Sequence, residues 1–341
     1  MRSRTGVLLV NLGTPLSPKP RDVSRYLIEF LMDDRVIDFP WWKRQLLVKG
    51  IIIPMRYRQS AQAYKKIWTE EGSPLLLYGE KVKKKLQAFL GDSFFVELGM
   101  RYQFPSIEEA LQKLLSKRLD ELVLIPLFPQ YASATTGSIF KKVTELLSRE
   151  QTIPHFKAIG SYPTHSKMID AFCAVAQPYL INAYDHFLFS FHGLPQRHVK
   201  KADQIDVCLK KENCCRSCIP ENRHCYSAQC YATAQAIANQ LALPSHRYSI
   251  SFQSRLGKDP WLQPYSSSTL QALAKAGNKK ILVFSPAFVC DCLETLYEIE
   301  EEYGLEFKQA GGTTLDLVPG LNDHPLWIEA LASLLLETSP V

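Results

Sequence analysis

The residues best suited to carry chemistry are a histidine and a glutamate that lie far apart in the sequence. His192 ends the stretch DHFLFSFH, whose short apolar run predicts a buried strand. Glu294 stands near the start of a helix predicted over 291–303, after a strand predicted at 280–284. Ligands of an open α/β sheet bind at the carboxyl ends of its strands. An imidazole and a carboxylate at that edge can exchange protons or hold a divalent metal.

The predicted acidic helix carries more than one carboxylate. Glu294, Glu298 and Glu302 are spaced four apart, which makes them neighbours along one side of a helix, here called the acidic row. If the helix were locally widened to the π form, the row would run almost straight. A bound cation or a proton relay would offset the repulsion between these like charges, but so would plain solvation. For His192 the structural alternative is a hydrogen-bonded histidine at a sheet edge.

Composition limits the class of protein. The chain has 341 residues, of which 46% are hydrophobic and 22% charged, as expected for two globular domains. The formal charge of +6 is small and dispersed, which does not favour nucleic acid as a partner. The first fifteen residues do not resemble a secretory signal and no apolar run is long enough to span a bilayer, so we expect a cytoplasmic protein. No glycine-rich dinucleotide fingerprint or P-loop indicates a nucleotide cofactor.

The order of predicted elements favours an α/β fold. Strands alternate with helices, which predicts parallel sheets covered on both faces, in two halves of similar length. The predicted strands are 6–10, 94–98, 121–128, 187–192, 248–252, 280–284 and 313–317. The predicted helices are 21–32, 75–90, 106–117, the segment ending at 148, 165–183, 226–241, 266–276, 291–303 and 323–337.

Two further stretches suggest binding surfaces. Residues 41–58, here called the basic aromatic segment, begin with paired tryptophans and carry basic residues but no acidic one. They predict either a surface that contacts anionic lipid headgroups, or a helix with a solvated basic side followed by a buried Ile51–Ile53. After the strand 121–128, the stretch PQYASATTGSIF is rich in hydroxyl groups. At a helix start, such groups suit an anionic ligand or simply cap the helix.

The cysteines point to a metal. Nine cysteines in a cytoplasmic chain argue against a disulfide framework. Six of the nine fall between Cys208 and Cys230, in a mostly polar stretch.

Several motifs, spread in order over nearly the whole chain, carry a family resemblance. They are NLGTP at 11–15, GMRY at 99–102, PQYASATTGS at 129–138, FSFHGLP at 189–195, SFQSRLG to WLQPY at 251–265 and DCLETLYEI at 291–299. With these motifs the chain resembles the ferrochelatases, class II chelatases that are lyases of porphyrin and haem biosynthesis. The resemblance implies two Rossmann-like domains, 1–155 and 156–320, with a porphyrin cleft between them and a C-terminal helix, 321–341, that crosses back. It also implies insertion of Fe2+ into protoporphyrin IX to form protohaem.

The same resemblance implies roles for single residues. His192 matches the catalytic histidine and Glu294 its acidic partner, and Glu298 and Glu302 continue the row toward the metal. Either His192 or Glu294 can hold iron first. Leu12 stands where relatives that metallate coproporphyrin tend to carry tyrosine, so it favours protoporphyrin. Other matched positions lie near the porphyrin or its carboxylates: Arg101, Tyr102, Ser133, Thr135, Thr136 and Trp261.

The resemblance also singles out a cysteine insert, 206–226. Cys230 has a position in relatives that hold no cluster, which leaves five cysteines for the insert. Cys208, Cys215, Cys218 and Cys225 are separated by six, two and six residues, which suits four thiolates on one centre, with Cys214 as the reserve ligand. Because some bacterial ferrochelatases hold a [2Fe-2S] cluster on such a segment, we expect this cluster, with zinc as the alternative.

Other functions share most of these features. On the same fold, a coproporphyrin ferrochelatase or a cobaltochelatase would differ only in ring or metal, and a porphyrin or haem carrier would bind without turnover. In relatives the basic aromatic segment lies at a hydrophobic lip of the cleft, which implies peripheral contact with the inner face of the membrane.

Overall fold

The computed structural model describes residues 3–204, 206–210, 213–257 and 259–337. These residues form two compact units. The first contains the chain up to Phe128, Ala132–Gly160 and the residues from Leu331 onward, and the second contains Pro129–Tyr131 and Ser161–Ala330. The domain boundaries given above, the helix that crosses back and the cleft stay predictions. Lys211 and Glu212 of the cysteine insert and residues 338–341 of the C-terminal segment lie outside the described residues.

The first unit contains a four-stranded parallel sheet. Its strands are β1 (Thr5–Gly13), β2 (Phe94–Tyr102), β3 (Glu121–Pro126) and β4 (His155–Ala158), in the order β2-β1-β3-β4. The inner strand β1 is buried almost throughout, as its run of Val and Leu predicts.

Helices and π-helical turns surround this sheet. Ser106 and Glu109 form a capping box at the start of α5, which satisfies backbone donors that the first turn leaves without partners. The apolar faces of α5 and α6 pack with β1 and β3 in one core cluster. The helical elements are α1 (Pro20–Leu31), α2 (Trp41–Gln45), π1 (Leu46–Ile52), α3 (Ile53–Ile67), α4 (Pro74–Leu90), α5 (Ile107–Leu115), π2 (Ser133–Gly137) and α6 (Ser138–Leu147).

The second unit repeats the plan. Its strands are β5 (His186–His192), β6 (Tyr248–Gln253), β7 (Lys280–Phe284) and β8 (Thr314–Leu317), all parallel and in the order β6-β5-β7-β8. Leu188, Ile281 and Val283 of this sheet pack against Ile299, which lies on the segment that carries the acidic row, and against Phe307, which follows that segment.

The helices of the second unit begin with α7 (Ser166–Ala176). They continue with α8 (Gln196–Ala202), α9 (Tyr226–Gln240), α10 (Ser266–Lys275), α11 (Leu293–Leu296), π3 (Glu298–Tyr303) and α12 (Gly304–Gln309). Short 3-10 turns occupy Tyr179–Ile181, Pro220–Asn222 and Ser245–Arg247. The last helix, α13 (Pro325–Glu337), contains residues of both units.

The predicted fold class is confirmed, because both sheets are parallel and flanked by helices. The strand that sequence reasoning missed is β4, a short edge strand with the exposed residues His155 and Ala158. The helix predicted over 291–303 is divided into α11 and π3. Among the described residues, no helix combines the length and the apolar character that a membrane span requires.

Candidate active site

His192 is the last residue of β5 and is half-buried. Its Nδ1 lies 2.7 Å from the carbonyl oxygen of Gly193. A carbonyl oxygen only accepts hydrogen bonds, so Nδ1 carries the proton and, in the neutral ring, Nε2 holds the free lone pair. The ring meets Phe288 edge-on at 6.2 Å between centroids, and Tyr226 donates a 2.7 Å hydrogen bond to the His192 carbonyl. His192 therefore has a fixed tautomer whose second nitrogen is suited to accept a proton or bind a metal.

Glu294 lies on α11, the first helix after β7, and is half-buried. Because β5, β6 and β7 are parallel, the residues that follow β7 begin at the same edge of the sheet at which His192 ends β5. Gln253, the last residue of β6, lies opposite His192 in the strand register. Its side-chain amide donates a 2.8 Å hydrogen bond to the carbonyl oxygen of Glu294. The two predicted catalytic residues thus belong to one connected part of the second unit.

Glu298 plays a different part from Glu294, because protein donors already occupy both of its oxygens. Oε1 accepts from the Ser254 N–H at 2.8 Å and from the Tyr303 hydroxyl at 2.7 Å. Oε2 accepts from the Ser254 hydroxyl and from the Gln253 amide, the latter at 3.3 Å. Burial, followed by the charge of Glu298, raises the pKa of Tyr303. Glu298 is held as an internal acceptor.

The acidic row lies across a π-helical turn. In π3 the N–H of Glu302 bonds to the carbonyl of Tyr297, five residues earlier, at 3.0 Å. In such a π-helical segment we expect the acidic row to run almost straight. In the described ranges of the chain, no group of three or more His, Cys, Asp or Glu residues has the geometry to hold a metal ion. The assignment of His192, Glu294, Glu298 and Glu302 to a metal therefore stays a prediction.

In the first unit, two of the predicted porphyrin contacts belong to a buried polar network, here called the Asp33 network (Asp33, Arg101, Tyr102 and Ser138). Oδ2 of Asp33 accepts from Arg101 at 2.6 Å, from Tyr102 at 2.9 Å and from Ser138 at 2.5 Å. The Arg101 and Asp33 side chains are only 16% and 3% exposed. Arg101 is thus paired within the protein, and its contact with a porphyrin carboxylate stays a prediction, as does that of Tyr102.

The carboxyl group of Asp33 is strongly stabilised in its charged form. Burial acts to raise its pKa, but hydrogen bonds from Ser138 and from the Arg35 backbone, with the Arg101 charge, lower it below the usual value. Burial, followed by the charge of Asp33, raises the pKa of Tyr102. The network therefore holds one carboxylate against one guanidinium at neutral pH.

The hydroxyl-rich stretch predicted from the sequence forms π2 and the start of α6. Ser133 accepts a 2.9 Å hydrogen bond from the Arg35 guanidinium. Thr135 is half-buried, and its hydroxyl group lies 3.4 Å from the Ala132 carbonyl oxygen. Thr136 is fully buried, and its hydroxyl has no hydrogen-bond partner among the described residues.

The remaining predicted porphyrin contacts lie near strand ends. Leu12 lies in β1, one residue before its end, and packs partly against the core of the first unit. In the second unit, Trp261 is 8% exposed and donates from Nε1 to the Leu256 carbonyl at 2.9 Å. It pairs with Pro195 in an isolated bridge, so it lies against the loop that follows His192.

Comparison with known proteins identifies the family. A sequence model described as Ferrochelatase matches residues 4–339. The chain is 44% identical over 334 residues to a ferrochelatase of Legionella pneumophila (strain Lens), with 98% of this chain and 99% of the relative covered. It is also 44% identical over 334 residues to a ferrochelatase of Pseudomonas putida (strain KT2440), with 96% and 97% covered. The chain belongs to the ferrochelatase family.

Family membership confirms two predictions made from the sequence. The activity is that of a lyase that inserts ferrous iron into a porphyrin to form protohaem, and ferrous iron is therefore a substrate. Solved structures support the fold alone. The sirohydrochlorin chelatase SirB from Bacillus subtilis subspecies spizizenii, in complex with cobalt, superimposes with a TM-score of 0.55 at 12% identity, with 98% of this chain and 95% of that chain covered. SirB from Bacillus subtilis with Fe3+ gives a TM-score of 0.54 at the same identity and coverage.

Within this ferrochelatase-family chain, most of the predicted cysteine ligands contact one another, whereas Cys218 is more exposed. Cys225 is the residue before α9, and its sulfur accepts hydrogen bonds from the thiols of Cys208 and Cys215. Together with the N–H groups of Ala228 and Ser227, these bonds lower the pKa of Cys225 to about 3. The sulfurs of Cys214 and Cys215 lie 3.4 Å apart. Cys218 is the most exposed of these residues. The part of its thiol that is shielded from water, and then the charge of Cys225, raise its pKa.

These contacts test the all-thiol donor set. The Cys225 thiolate at a helix start fits a metal-binding sulfur, because metal ligands must be deprotonated. Hydrogen bonds to Cys225, followed by burial, raise the pKa of Cys208 and Cys215, as expected for protons that a metal would displace. The reserve ligand Cys214 is in closer contact with the group than the predicted ligand Cys218.

The basic aromatic segment presents apolar side chains on the surface of the first unit. Among its exposed residues are Trp41 at 67%, Trp42 at 56%, Leu46 at 67% and Met55 at 75%. Of the three isoleucines, Ile53 is buried at 6%, whereas Ile51 is 54% exposed, so the alternative of a buried Ile51–Ile53 run is wrong for Ile51. The segment combines α2, π1 and the start of α3.

Sequence reasoning missed Gln253 and Asp33. Gln253 stands inside the quoted motif SFQSRLG and at a strand end, which is the signal that could have marked it. Asp33 shows no such signal, because its partners Arg101 and Tyr102 are 68 and 69 positions away in the sequence.

Proposed function

We propose that the chain inserts ferrous iron into protoporphyrin IX at the carboxyl edge of the second sheet, with His192 and Glu294 as the catalytic residues. One observation carries the proposal. The Nδ1 hydrogen bond to Gly193 leaves Nε2 of a strand-end histidine as the open position. Such a nitrogen can act as a base near neutral pH.

The chemistry requires removal of two protons. A free porphyrin carries two N–H protons, and both leave as ferrous iron bonds to the four ring nitrogens. His192 accepts one of these protons at Nε2, because Nδ1 stays protonated toward Gly193, and the second proton passes to solvent water. The carboxylate of Glu294 supplies negative charge where the ion enters, and Glu302 continues this charge along π3. Glu298 supports the turn through its hydrogen bonds with Ser254 and Tyr303.

We expect part of the binding energy to be used to bend the porphyrin ring. A flat ring hides its nitrogen lone pairs from an arriving ion, and bending it exposes them. Leu12, Trp261 and the hydroxyl-rich stretch are the proposed contacts with the ring and its carboxylates. Leu12 favours protoporphyrin over coproporphyrin.

An assay of metal insertion tests the proposal. Purified protein is incubated without oxygen with protoporphyrin and ferrous iron, and haem formation is followed by absorbance. We expect His192→Ala to lower the rate of insertion by roughly 10²- to 10⁴-fold, as for the loss of a general base. Protoporphyrin binding, measured by fluorescence quenching, should be retained.

Two controls make this assay decisive. His246 is exposed and lies just before β6, at the end of the second sheet opposite to His192, so His246→Ala should leave the rate unchanged. Normal metallation by His192→Ala would refute the role of His192. A wild-type protein that binds protoporphyrin without metallating it would be a carrier, and faster reaction with coproporphyrin or with cobalt would indicate one of the related chelatases.

We also propose a [2Fe-2S] cluster on the cysteine insert, with Cys208, Cys215, Cys218 and Cys225 as ligands and Cys214 in reserve. The sulfur contacts around Cys225 support an all-thiol site. A bound cluster would hold the polar insert in one conformation. We expect purified protein to be brown, with absorption bands that bleach in Cys215→Ser and persist in Cys173→Ser, which lies outside the insert. A colourless protein with one zinc per chain would favour the zinc alternative.

Finally, we propose that the protein is cytoplasmic and contacts the inner face of the membrane through the basic aromatic segment. Exposed tryptophans beside Lys43 and Lys49 suit the interface of an anionic bilayer. Burial of one large apolar side chain is worth about 1.5–3 kcal/mol. We therefore expect Trp41→Ala to weaken binding to vesicles that contain phosphatidylserine by roughly tenfold or more. Phe89→Ala, which removes an aromatic side chain 58% exposed outside the segment, should not change it. Equal binding of both variants would contradict the proposal.

A further inference from the structure

Gln253 is a buried residue that hydrogen-bonds to the backbone beside His192 and to the backbone of Glu294. It is 2% exposed and lies opposite His192 in the register of β5 and β6. Its backbone carbonyl accepts a 2.8 Å hydrogen bond from the N–H of Gly193. The carbonyl of the same Gly193 accepts the hydrogen bond from the His192 ring. Its side chain bonds to the Glu294 carbonyl at 2.8 Å. One residue therefore connects the loop after His192 with the first turn after Cys292.

The amide of Gln253 can adopt only one orientation. The Glu294 carbonyl and the Glu298 carboxylate only accept, so the nitrogen must face them. The oxygen then faces the hydroxyl groups of Ser190 and Ser285, at 2.8 and 3.4 Å. Each end of the amide has partners of the right kind. Because both ends are satisfied in a buried place, the side chain is fixed and fixes what it touches.

We propose that Gln253 is a positioning residue for metal insertion, which acts by holding the start of the acidic helix relative to His192. The inference rests on the proposed function, because it assigns a role toward the same pair of residues. Gln253 itself does not touch the reacting atoms. It sets where the Glu294 backbone lies with respect to the strand that carries His192.

A glutamine positions the Glu294 backbone better than its near isosteres would. Glutamate would place an acceptor against two acceptors, and methionine would remove all four side-chain hydrogen bonds while keeping the volume. Loss of the Nε2 bond would leave the Glu294 carbonyl without this donor at the point where α11 begins. Residues that orient a metal-facing group typically matter by about 10- to 100-fold in affinity or activity when they are replaced.

The test is a double-mutant cycle between Gln253→Met and Glu294→Gln, with kcat and KM measured in steady-state metallation at varied protoporphyrin concentration. In the wild-type background we expect Gln253→Met to lower kcat by roughly 10- to 100-fold, with KM for protoporphyrin changed by less than about twofold. In the Glu294→Gln background the same substitution should lower the rate by less than about twofold, because the group it positions is already lost.

A matched control separates positioning from general loss of stability. Gln87 of α4, in the first unit, is half-buried and, like Gln253, has partners at both ends of its amide. It donates to Gly91 and Phe94 and accepts from Val96. Gln87→Met should lower the melting temperature and leave kcat unchanged. If Gln253→Met does not fold, the double variant Ser190→Ala with Ser285→Ala replaces it, since it removes the two hydroxyl partners of the amide oxygen. A smaller but equally non-additive loss of kcat is then expected.

Three results would overturn the inference. They are an unchanged kcat in Gln253→Met, the same fold loss with and without the Glu294 carboxylate, and a loss carried by KM for protoporphyrin alone. Each of these can occur while the wild type metallates normally, which leaves the proposed function intact. A wild-type protein that does not metallate would refute the proposed function, and this inference with it.

Discussion

The Asp33 network and the site around His192 are both polar clusters near strand ends, but their bonding differs. In the first, Asp33 receives three side-chain donors on one oxygen, and Arg101 is paired with it. In the second, the His192 ring uses one nitrogen for Gly193, and the other is the open position on which the proposed function depends. A cluster whose partners are all internal stabilises the fold, whereas a cluster that retains an open position can react.

The same contrast exists within the acidic row. Glu298 accepts from three residues, as a structural carboxylate does. Glu294 is fixed through its backbone by Gln253, and its carboxylate, which the Cys292 thiol contacts, is left with fewer internal donors than Glu298 has. The number of internal donors on a carboxylate therefore predicts whether its replacement affects stability or activity.

The strongest test of this contrast is Asp33→Asn. The substitution removes the charge that faces Arg101 inside the first unit, and breaking a buried pair from one side costs about 3–5 kcal/mol of unfolding free energy. Urea unfolding of wild type and variant measures the difference. Because Arg101 would be left without its partner, Asp33→Asn with Arg101→Met should recover part of the loss. A cost below about 1 kcal/mol would show that the pair behaves like a surface ion pair.

The stabilisation by the Asp33 carboxylate should also depend on pH. The pKa of Asp33 is lowered in the folded protein, so its carboxylate stabilises the fold above the unfolded pKa of about 3.9, and this contribution is lost as the pH falls through the folded value. The difference in unfolding free energy between wild type and Asp33→Asn should therefore shrink below about pH 4. Urea titrations at pH 6 and pH 3 measure it. A difference that does not vary with pH would assign the effect to packing.

Within the acidic row, Glu298→Gln should affect stability, whereas Glu294→Gln should affect metallation. Glu298→Gln places an amide N–H against the Ser254 and Tyr303 donors, and a buried group left without its partner costs about 1–3 kcal/mol. Its unfolding free energy should fall, whereas Glu294→Gln should lose metallation at nearly unchanged stability. Both quantities are measured on both variants. The reverse pattern would make Glu298 the reactive carboxylate.

The sequence predicted the parts of this molecule that depend on local pattern. The strand that ends at His192 and the strand before Glu294 were both predicted, and the strand-end rule placed both residues at one edge. Short β4 was missed because His155 and Lys157 interrupt any apolar run, so only pairing with β3 makes it a strand. Its existence depends on a partner that is distant in the sequence.

The side-chain partners could not be predicted in the same way. Arg101 and Tyr102 were assigned to the porphyrin by resemblance, and the sequence does not show that Asp33 would reach both of them. The proposed role of Gln253 depends on the strand register that places it beside His192. Hydrogen-bond networks are set by how elements pack, and this information is not contained in the periodicity of one segment.

The smallest predicted effect concerns Tyr226, which joins α9 to the backbone of the proposed base. Its hydroxyl donates to the His192 carbonyl at 2.7 Å, and Tyr226→Phe removes that bond while keeping the ring. We expect a loss of about 1 kcal/mol of unfolding free energy and a change in kcat of less than about fivefold, because the Nδ1 bond to Gly193 still fixes the tautomer. Urea unfolding and the metallation assay test both parts. A loss of kcat greater than about fivefold, with a loss of only about 1 kcal/mol in unfolding free energy, would show that the open position of His192 depends on α9 as well as on its own loop.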